Sequence, residues 1–262
     1  MKLKMIEFID QIGHKVVLNK KPERIVSLVP SQTELLVDLG LSEALVGITK
    51  FCVRPLSLFK TKTRVGGTKS VDFKIIKEVN PDLIVANKEE NEKEQIEHLQ
   101  DLYPVWTSDV RSLNQAFDMI KSMGILTNTN TKSEKIIQQI RANFSSFNLN
   151  IKNKSCVYLI WHNPIMTINQ DTFIHSILEN IGFVNLLSNE ADRYPSISIE
   201  QLRQISPDIL LLSSEPFPFK EKHIEFYKRY LPKTKIKLVD GEMFSWYGSR
   251  LIQAPEYFYN LC

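Results

Sequence analysis

Two short stretches carry side chains able to hold a small molecule or a metal. Trp161-His162 sets a large ring beside an imidazole, and a neutral imidazole nitrogen can ligate iron or cobalt. Its bland alternative is a hydrogen-bonding surface histidine. The run Phe244-Ser245-Trp246-Tyr247-Gly248-Ser249-Arg250 places three rings and a guanidinium among small residues. It follows neither strand alternation nor helical periodicity, so it predicts a loop that could wall a ligand through Trp246, Tyr247 or Arg250. The competing reading is that Phe244 and Trp246 plug a core. Cys52 is either a soft metal ligand or a small buried hydrophobe. Arg54, Lys69, Lys88, Arg193 and Arg250 either gather positive charge around an anionic ligand or are solvated loop charges.

Catalytic patterns are absent from the chain. Gly66-Gly67-Thr68-Lys69-Ser70 lacks the Gly-Lys-Ser/Thr order of a phosphate loop. There is no GxSxG elbow, HExxH or paired-cysteine zinc pattern. Cys52 and His162 could form a nucleophile–base pair, but no third group orders them. The expectation is a non-enzyme with no catalytic residues, no metal site of its own and no intrinsic cofactor.

These residues need a scaffold, and the chain shows one by repeating itself. SVDFKIIKEVNPDLIVANKEE in the first half matches SISIEQLRQISPDILLLSSEP in the second. Each is a short helical pattern, a Pro-Asp, an apolar β-favouring run and a polar turn. Leu83-Ile84-Val85 and Ile209-Leu210-Leu211-Leu212 read as buried strands of parallel sheets. Upstream, Arg24–Leu28 predicts a strand, then Ser31-Gln32-Thr33-Glu34 predicts a capping box opening a helix that Gly40 stops. Its counterpart is a strand over Cys156–Ile160 and a helix over Phe173–Ile181, stopped by Gly182.

Two helices lie between the halves, one from Ser112 to near Gly124 and one from Thr131, with Ile136, Ile137, Ile140, Phe144 and Phe147 along one face. The second, at about 16 residues, would reach roughly 24 Å, a stiff connector that keeps lobe closure small. The expected fold is therefore α/β, two Rossmann-like lobes with parallel central sheets joined by a long bridging helix. The expected boundaries are an N-terminal lobe over 1–110, bridging helices over 111–150 and a C-terminal lobe over 151–262. Open parallel sheets bind ligands beyond the carboxyl ends of their strands. That places Phe51, Cys52, Arg54, Thr68, Lys69, Asn87 and Lys88 in one candidate wall, and Trp161, His162, Arg193 and Tyr194 in the other.

Bulk composition narrows the function. Thirty-three basic against 30 acidic residues, with scattered lysines, argue against a nucleic-acid surface. The first residues hold no apolar run long enough for a secretory signal, and the chain opens on Met1. The three cysteines have no CxxC spacing, which suits a reducing compartment. A cytoplasmic chain, or one already processed, is the expectation on these grounds, with the cytoplasmic reading preferred; a monomer is expected.

RIVSLVPSQTELLVDLG near the start and NPDLIV after it, with this order of elements, resemble the class III substrate-binding proteins of ABC importers. These are the helical-backbone metal receptors for ferric siderophores, haem and vitamin B12. The resemblance runs from about Ile12 to Cys262. It implies a non-catalytic binder that holds such a metal-chelate or tetrapyrrole-like ligand, carrying iron or cobalt, in the cleft between its lobes. It also implies an ABC permease as partner and a periplasmic or membrane-associated location. Beside the B12-binding members, the aromatic cage falls on Phe51, Thr68, Asn87 and Tyr194, with Thr68 and Asn87 in place of tryptophans; Trp161 and Trp246 could supply other faces. The two glutamates that the family presents to the permease fall on Lys74 and Glu200; a one-residue slip would put Asp72 at the first, but the FKII/IEQL register of the duplication argues for Lys74, so only Glu200 keeps the docking charge.

Overall fold

The apolar runs of the repeat form two parallel sheets, one in each half of the chain. The computed structural model describes residues 6–145 and 154–261. Phe147 and Cys262 of the sequence reading lie outside them. The chain divides into two units, the first comprising residues 1–110, 114–139 and 247–250, the second 111–113, 140–246 and 251–262. The interval 111–150 does not stand as a separate body but is shared between the units.

The first unit opens with an antiparallel hairpin, β1 (Ile6–Ile9) and β2 (Lys15–Leu18). Then follow β3 (Ile25–Ser27), α1 (Pro30–Asp38), β4 (Leu45–Ile48), α2 (Leu56–Thr61), β5 (Thr63–Arg64), α3 (Phe73–Val79), β6 (Leu83–Asn87), α4 (Lys93–Gln100) and β7 (Val105–Ser108). The parallel sheet has the order β5-β4-β3-β6-β7. Strand order reverses between β3 and β6, the position where open sheets leave a crevice. Val26, Ile84, Ala86 and Val105 pack its core with Ile76, Ile96 and Leu99 from the helices.

The helices α5 (Leu113–Leu126) and α6 (Asn130–Ser145) follow. The 16 residues of α6 match the expected length, and the unit boundary falls inside it, between Gln139 and Ile140. Gly124 lets Ser133 approach so closely that an added Cβ would meet the Ser133 Oγ.

The second unit contains β8 (Lys154–Leu159), β9 (Ile165–Met166), α7 (Phe173–Asn180), β10 (Phe183–Asn185), β11 (Ser196–Ile197), α8 (Ile199–Ile205), β12 (Ile209–Ser213), α9 (Glu221–Tyr230), β13 (Lys235–Val239), α10 (Gly241–Ser245) and α11 (Ala254–Leu261). Its parallel sheet has the order β10-β8-β12-β13, reversing between β8 and β12. Val157, Leu159, Leu210, Leu212 and Tyr227 lie in its core.

The duplication extends to individual hydrogen bonds. Asp72 and Ser198 are the N-caps of α3 and α8, accepting from Ile75 N and Gln201 N. Both seven-residue helices end on a left-handed residue, Asn80 at φ 43° and Ser206 at φ 45°. The aspartate of each Pro-Asp then fastens the entry of the neighbouring strand. Asp82 accepts from Glu23 N and Arg24 N, and Asp208 from the N–H and hydroxyl of Ser155.

Two local expectations are corrected. The capping box at Ser31 does not form: α1 starts at Pro30 with Val29 as N-cap and no side-chain cap. Proline fits the first helical turn because its φ is already helical and no N–H is needed there, so the helix begins earlier and Ser31 and Glu34 lie inside it. The run 244–250 is a loop only over 246–248. Phe244 and Ser245 finish α10, and Ser249–Ile252 forms a 3₁₀ turn. The periodicity was hidden because each helical piece is about one turn long.

Candidate functional site

Asn87 and Ser213 end the equivalent strands β6 and β12, and both turn the chain with their own side chains. Asn87 Oδ1 accepts from Glu89 N at 2.9 Å and Glu90 N at 3.1 Å. Ser213 Oγ accepts from Glu215 N at 3.3 Å. These turns begin two of the strand-end loops, the first of which carries Lys88; the other candidate ligand residues sit on neighbouring loops.

In the first unit the loop after β4 puts Phe51 outward at 51% exposure, with Lys50 Nζ 5.2 Å from its ring centroid. Val53 and Arg54 beside it are exposed as well. Lys69 donates to the Glu89 carbonyl at 2.8 Å and lies 3.4 Å from the Glu92 carboxylate. Lys88 pairs with Asp109 at 2.9 Å. Thr68 is half-buried, its carbonyl accepting from Asn91 Nδ2 at 2.9 Å.

Beneath this surface lies a buried polar layer. Cys52 is fully buried, with Thr33 Oγ1 at 3.1 Å and Thr49 Oγ1 at 3.2 Å from its sulfur. Burial pushes its thiol up, so it keeps its proton at neutral pH. The Asn87 amide donates to Ser108 O and Oγ at 3.2 and 3.0 Å, and Gln32 also donates to Ser108. Cys52 and Asn87 are thereby interior groups that support the loops rather than line them.

In the second unit Trp161 is 38% exposed and stands edge-on to Phe217 at 5.5 Å. Tyr194 is equally exposed, with the Arg193 guanidinium 5.8 Å from its ring. Arg193 lies 3.9 Å from Asp171, which also takes Arg111 at 2.8 Å. His162 Nδ1 meets the Tyr227 hydroxyl at 3.0 Å, and burial lowers the pKa of the ring. Trp246 is buried, C-capping α10. Glu215, on the β12 loop, is pushed up by burial while its carboxylate takes the Ser245 hydroxyl at 2.7 Å.

Tyr247 and Arg250 belong to the first unit and are buried there. Arg250 Nε donates to Glu34 at 2.9 Å, Nη2 closes the second arm of the fork, and Ser249 Oγ donates to Asp38. An added Cβ on Gly248 would sit 2.8 Å from the Ser31 carbonyl. This short segment clasps α1, so Arg250 serves the fold where a ligand contact was expected. Phe244 is a core plug and not a ligand wall, since it is fully buried between Tyr158 and Phe258.

Sequence reasoning therefore brought out the exposed rings Phe51, Trp161 and Tyr194 but missed Arg111, Asp171 and the aromatic set behind Trp161. The run Pro216-Phe217-Pro218-Phe219 directly after a strand was a legible signal for that set. A shallow depression lined by His14–Val17 and Gln100–Pro104 lies at the opposite, N-terminal end of β7 and holds none of these residues. Among the described residues no group of three or more His, Cys, Asp or Glu is placed to hold a metal ion.

A family model for periplasmic binding proteins matches residues 25–229. A vitamin B12-binding protein of Vibrio cholerae is 24% identical over 195 residues, covering 73% of this chain and 70% of its own. An uncharacterized ABC transporter substrate-binding lipoprotein of Bacillus subtilis is 23% identical over 263 residues, covering 94% and 82%. The solved structure of a possible iron-binding, periplasmic solute-binding protein of Staphylococcus epidermidis superposes with a TM-score of 0.78 at 26% identity, covering 92% and 98%. The chain belongs to the periplasmic binding protein family, as a substrate-binding protein of the class III type that its sequence resembles.

Proposed function

We propose that this protein is the receptor of an ABC importer and holds one metal-chelate or tetrapyrrole-like ligand against its strand-end loops. A ferric siderophore, haem or a corrinoid fits this class, and iron or cobalt arrives within the ligand. The observation that carries the reading is the pairing of exposed rings with cations: Phe51 with Lys50, and Tyr194 with Arg193, besides the exposed face of Trp161. Rings offer flat apolar faces, and the adjacent cations suit an anionic rim. The B12-binding and iron-binding relatives support the class. Vitamin B12 itself is less favoured, because Thr68 is half-buried and Asn87 is spent on its turn.

Quenching of tryptophan fluorescence by cyanocobalamin, haemin and a ferric catecholate tests the reading. One of the three is expected to bind, with Phe51→Ala and Trp161→Ala each weakening it about tenfold, the equivalent of about 1.4 kcal/mol. No quenching and no thermal shift with any of them would sink this ligand class.

The partner surface is asymmetric. Lys74 and Glu200 occupy the same place, second in the equivalent helices α3 and α8 and both exposed. Asp72 cannot stand in for Lys74, since its carboxylate caps α3. In the family resemblance these positions meet the permease, so the permease of this receptor should offer an acidic group opposite Lys74. The lipoprotein relative supports the periplasmic or membrane-associated placement over the cytoplasmic one expected from the sequence. No described helix is long and apolar enough to cross a membrane.

A further inference from the structure

His162 and His223 meet in the second unit with ring centroids 4.8 Å apart. Phe217 lies 5.8 Å from the first ring and 5.3 Å from the second; Phe219 lies 6.1 and 5.4 Å away. Phe226 and Tyr227 close the far side of His162 at 5.2 and 5.7 Å. Trp161 joins the nest through its edge contact with Phe217.

His223 also holds the start of α9. The N-cap residue is Lys220, whose side chain cannot accept a hydrogen bond. The Lys220 N–H donates instead to His223 Nδ1 at 2.8 Å. A backbone N–H can only donate, so this nitrogen must be unprotonated for the bond to exist. The matching bond in α8 runs from Ser198 N to Gln201 Oε1 at 2.7 Å, through a group that does not titrate.

We propose that the His162–His223 pair is a proton-operated latch. Protonation of His223 breaks its bond to Lys220, sets a cation at a helix N-terminus, and loosens the 214–220 segment that supports Trp161. Burial and the neighbouring cations disfavour the charge. Burial lowers both pKa values, and each imidazole lies near Lys222, with His162 acting on His223. On α9, Glu221 and Glu225 are the acidic residues near His223 in sequence, and Tyr227 is a phenol held well above its ordinary pKa. From the β12 loop, Lys220 adds a further positive charge, while Glu215 is engaged by Ser245. Because the native pKa lies below the ordinary 6.5, the latch stabilises fully above that pH. Its contribution is lost as the pH falls from there through the native value.

Thermal melts of the ligand-free protein between pH 7.5 and 5.0, with imidazole resonances followed by NMR, test this. His223→Gln keeps an acceptor for Lys220 N–H but cannot be protonated near neutrality. The wild type is expected to lose about 2–4 °C more than His223→Gln across this range, with the His162 and His223 imidazoles titrating below the ordinary value. Equal losses in both proteins, or a His223 resonance titrating at the ordinary value, would overturn the latch. Should His223→Gln fail to fold, the wild-type resonances alone decide. A parallel fall in ligand affinity rests on the receptor reading above, whereas the ligand-free measurement stands without it.

Discussion

The two units share a frame and differ in what they place on it. After β6 the first unit builds a layer of amides and hydroxyls, in which Asn87 and Gln32 both donate to Ser108. After β12 the second unit builds a nest of rings, Phe217, Phe219, Phe226 and Tyr227 around two imidazoles. The helices before those strands have the same length, the same cap position and the same left-handed end. A strand end is therefore a fixed address whose chemistry is free to change. Framework residues answer to the backbone, which must satisfy its N–H groups in either unit, while loop residues answer only to their neighbours.

The largest test of this contrast is the clasp on α1, which has no counterpart among the described residues of the second unit. Arg250→Ala would leave Glu34 with its charge inside the protein, since its side chain is only 19% exposed. The expected loss is about 3–5 kcal/mol, the usual result of removing one partner of a buried pair. Urea unfolding read by fluorescence would measure it. A loss below about 1 kcal/mol would mean that the segment 247–250 is not anchored through this pair.

Equivalent core positions should behave alike. Ile84 in β6 and Leu210 in β12 face Val26 and Val157 at the same register, and both are fully buried. Truncation of either to alanine should cost about 2–5 kcal/mol from lost burial and the cavity left behind. Calorimetry on each variant would show whether one transition or two responds, because two units need not unfold as one. A large effect in one unit and none in the other would break the parallel.

The smallest expected effect lies at the helix ends. Asn80 and Ser206 both hold a left-handed backbone, which asparagine tolerates better than serine. Ser206→Gly should therefore raise stability by about 1 kcal/mol or less, and Asn80→Gly by less again. Thermal denaturation of the two variants side by side would resolve the order. A larger gain at Asn80 would show that its side chain contributes nothing to that turn.

The sequence by itself determined the frame. Pro-Asp after a short helix, an apolar run after Pro-Asp and a polar turn after the run are local statements, repeated twice, and local rules of capping and burial read them correctly. It also marked the strand ends as the place to search, and there Phe51, Trp161 and Tyr194 are outward-facing rings. Tertiary structure decided which of the remaining candidates face outward. Arg250 looked like a ligand cation until Glu34, 216 residues earlier, took both arms of its guanidinium. Cys52 looked like a metal ligand until Thr33 and Thr49 enclosed it. His223 was overlooked because nothing in its own helix shows that Lys220 lacks another cap, or that His162 lies 61 residues earlier against its ring. In each case at least one deciding partner, Glu34, Thr33 or His162, is remote in the chain, and a side chain's chemistry depends on the partner and the solvent it is given.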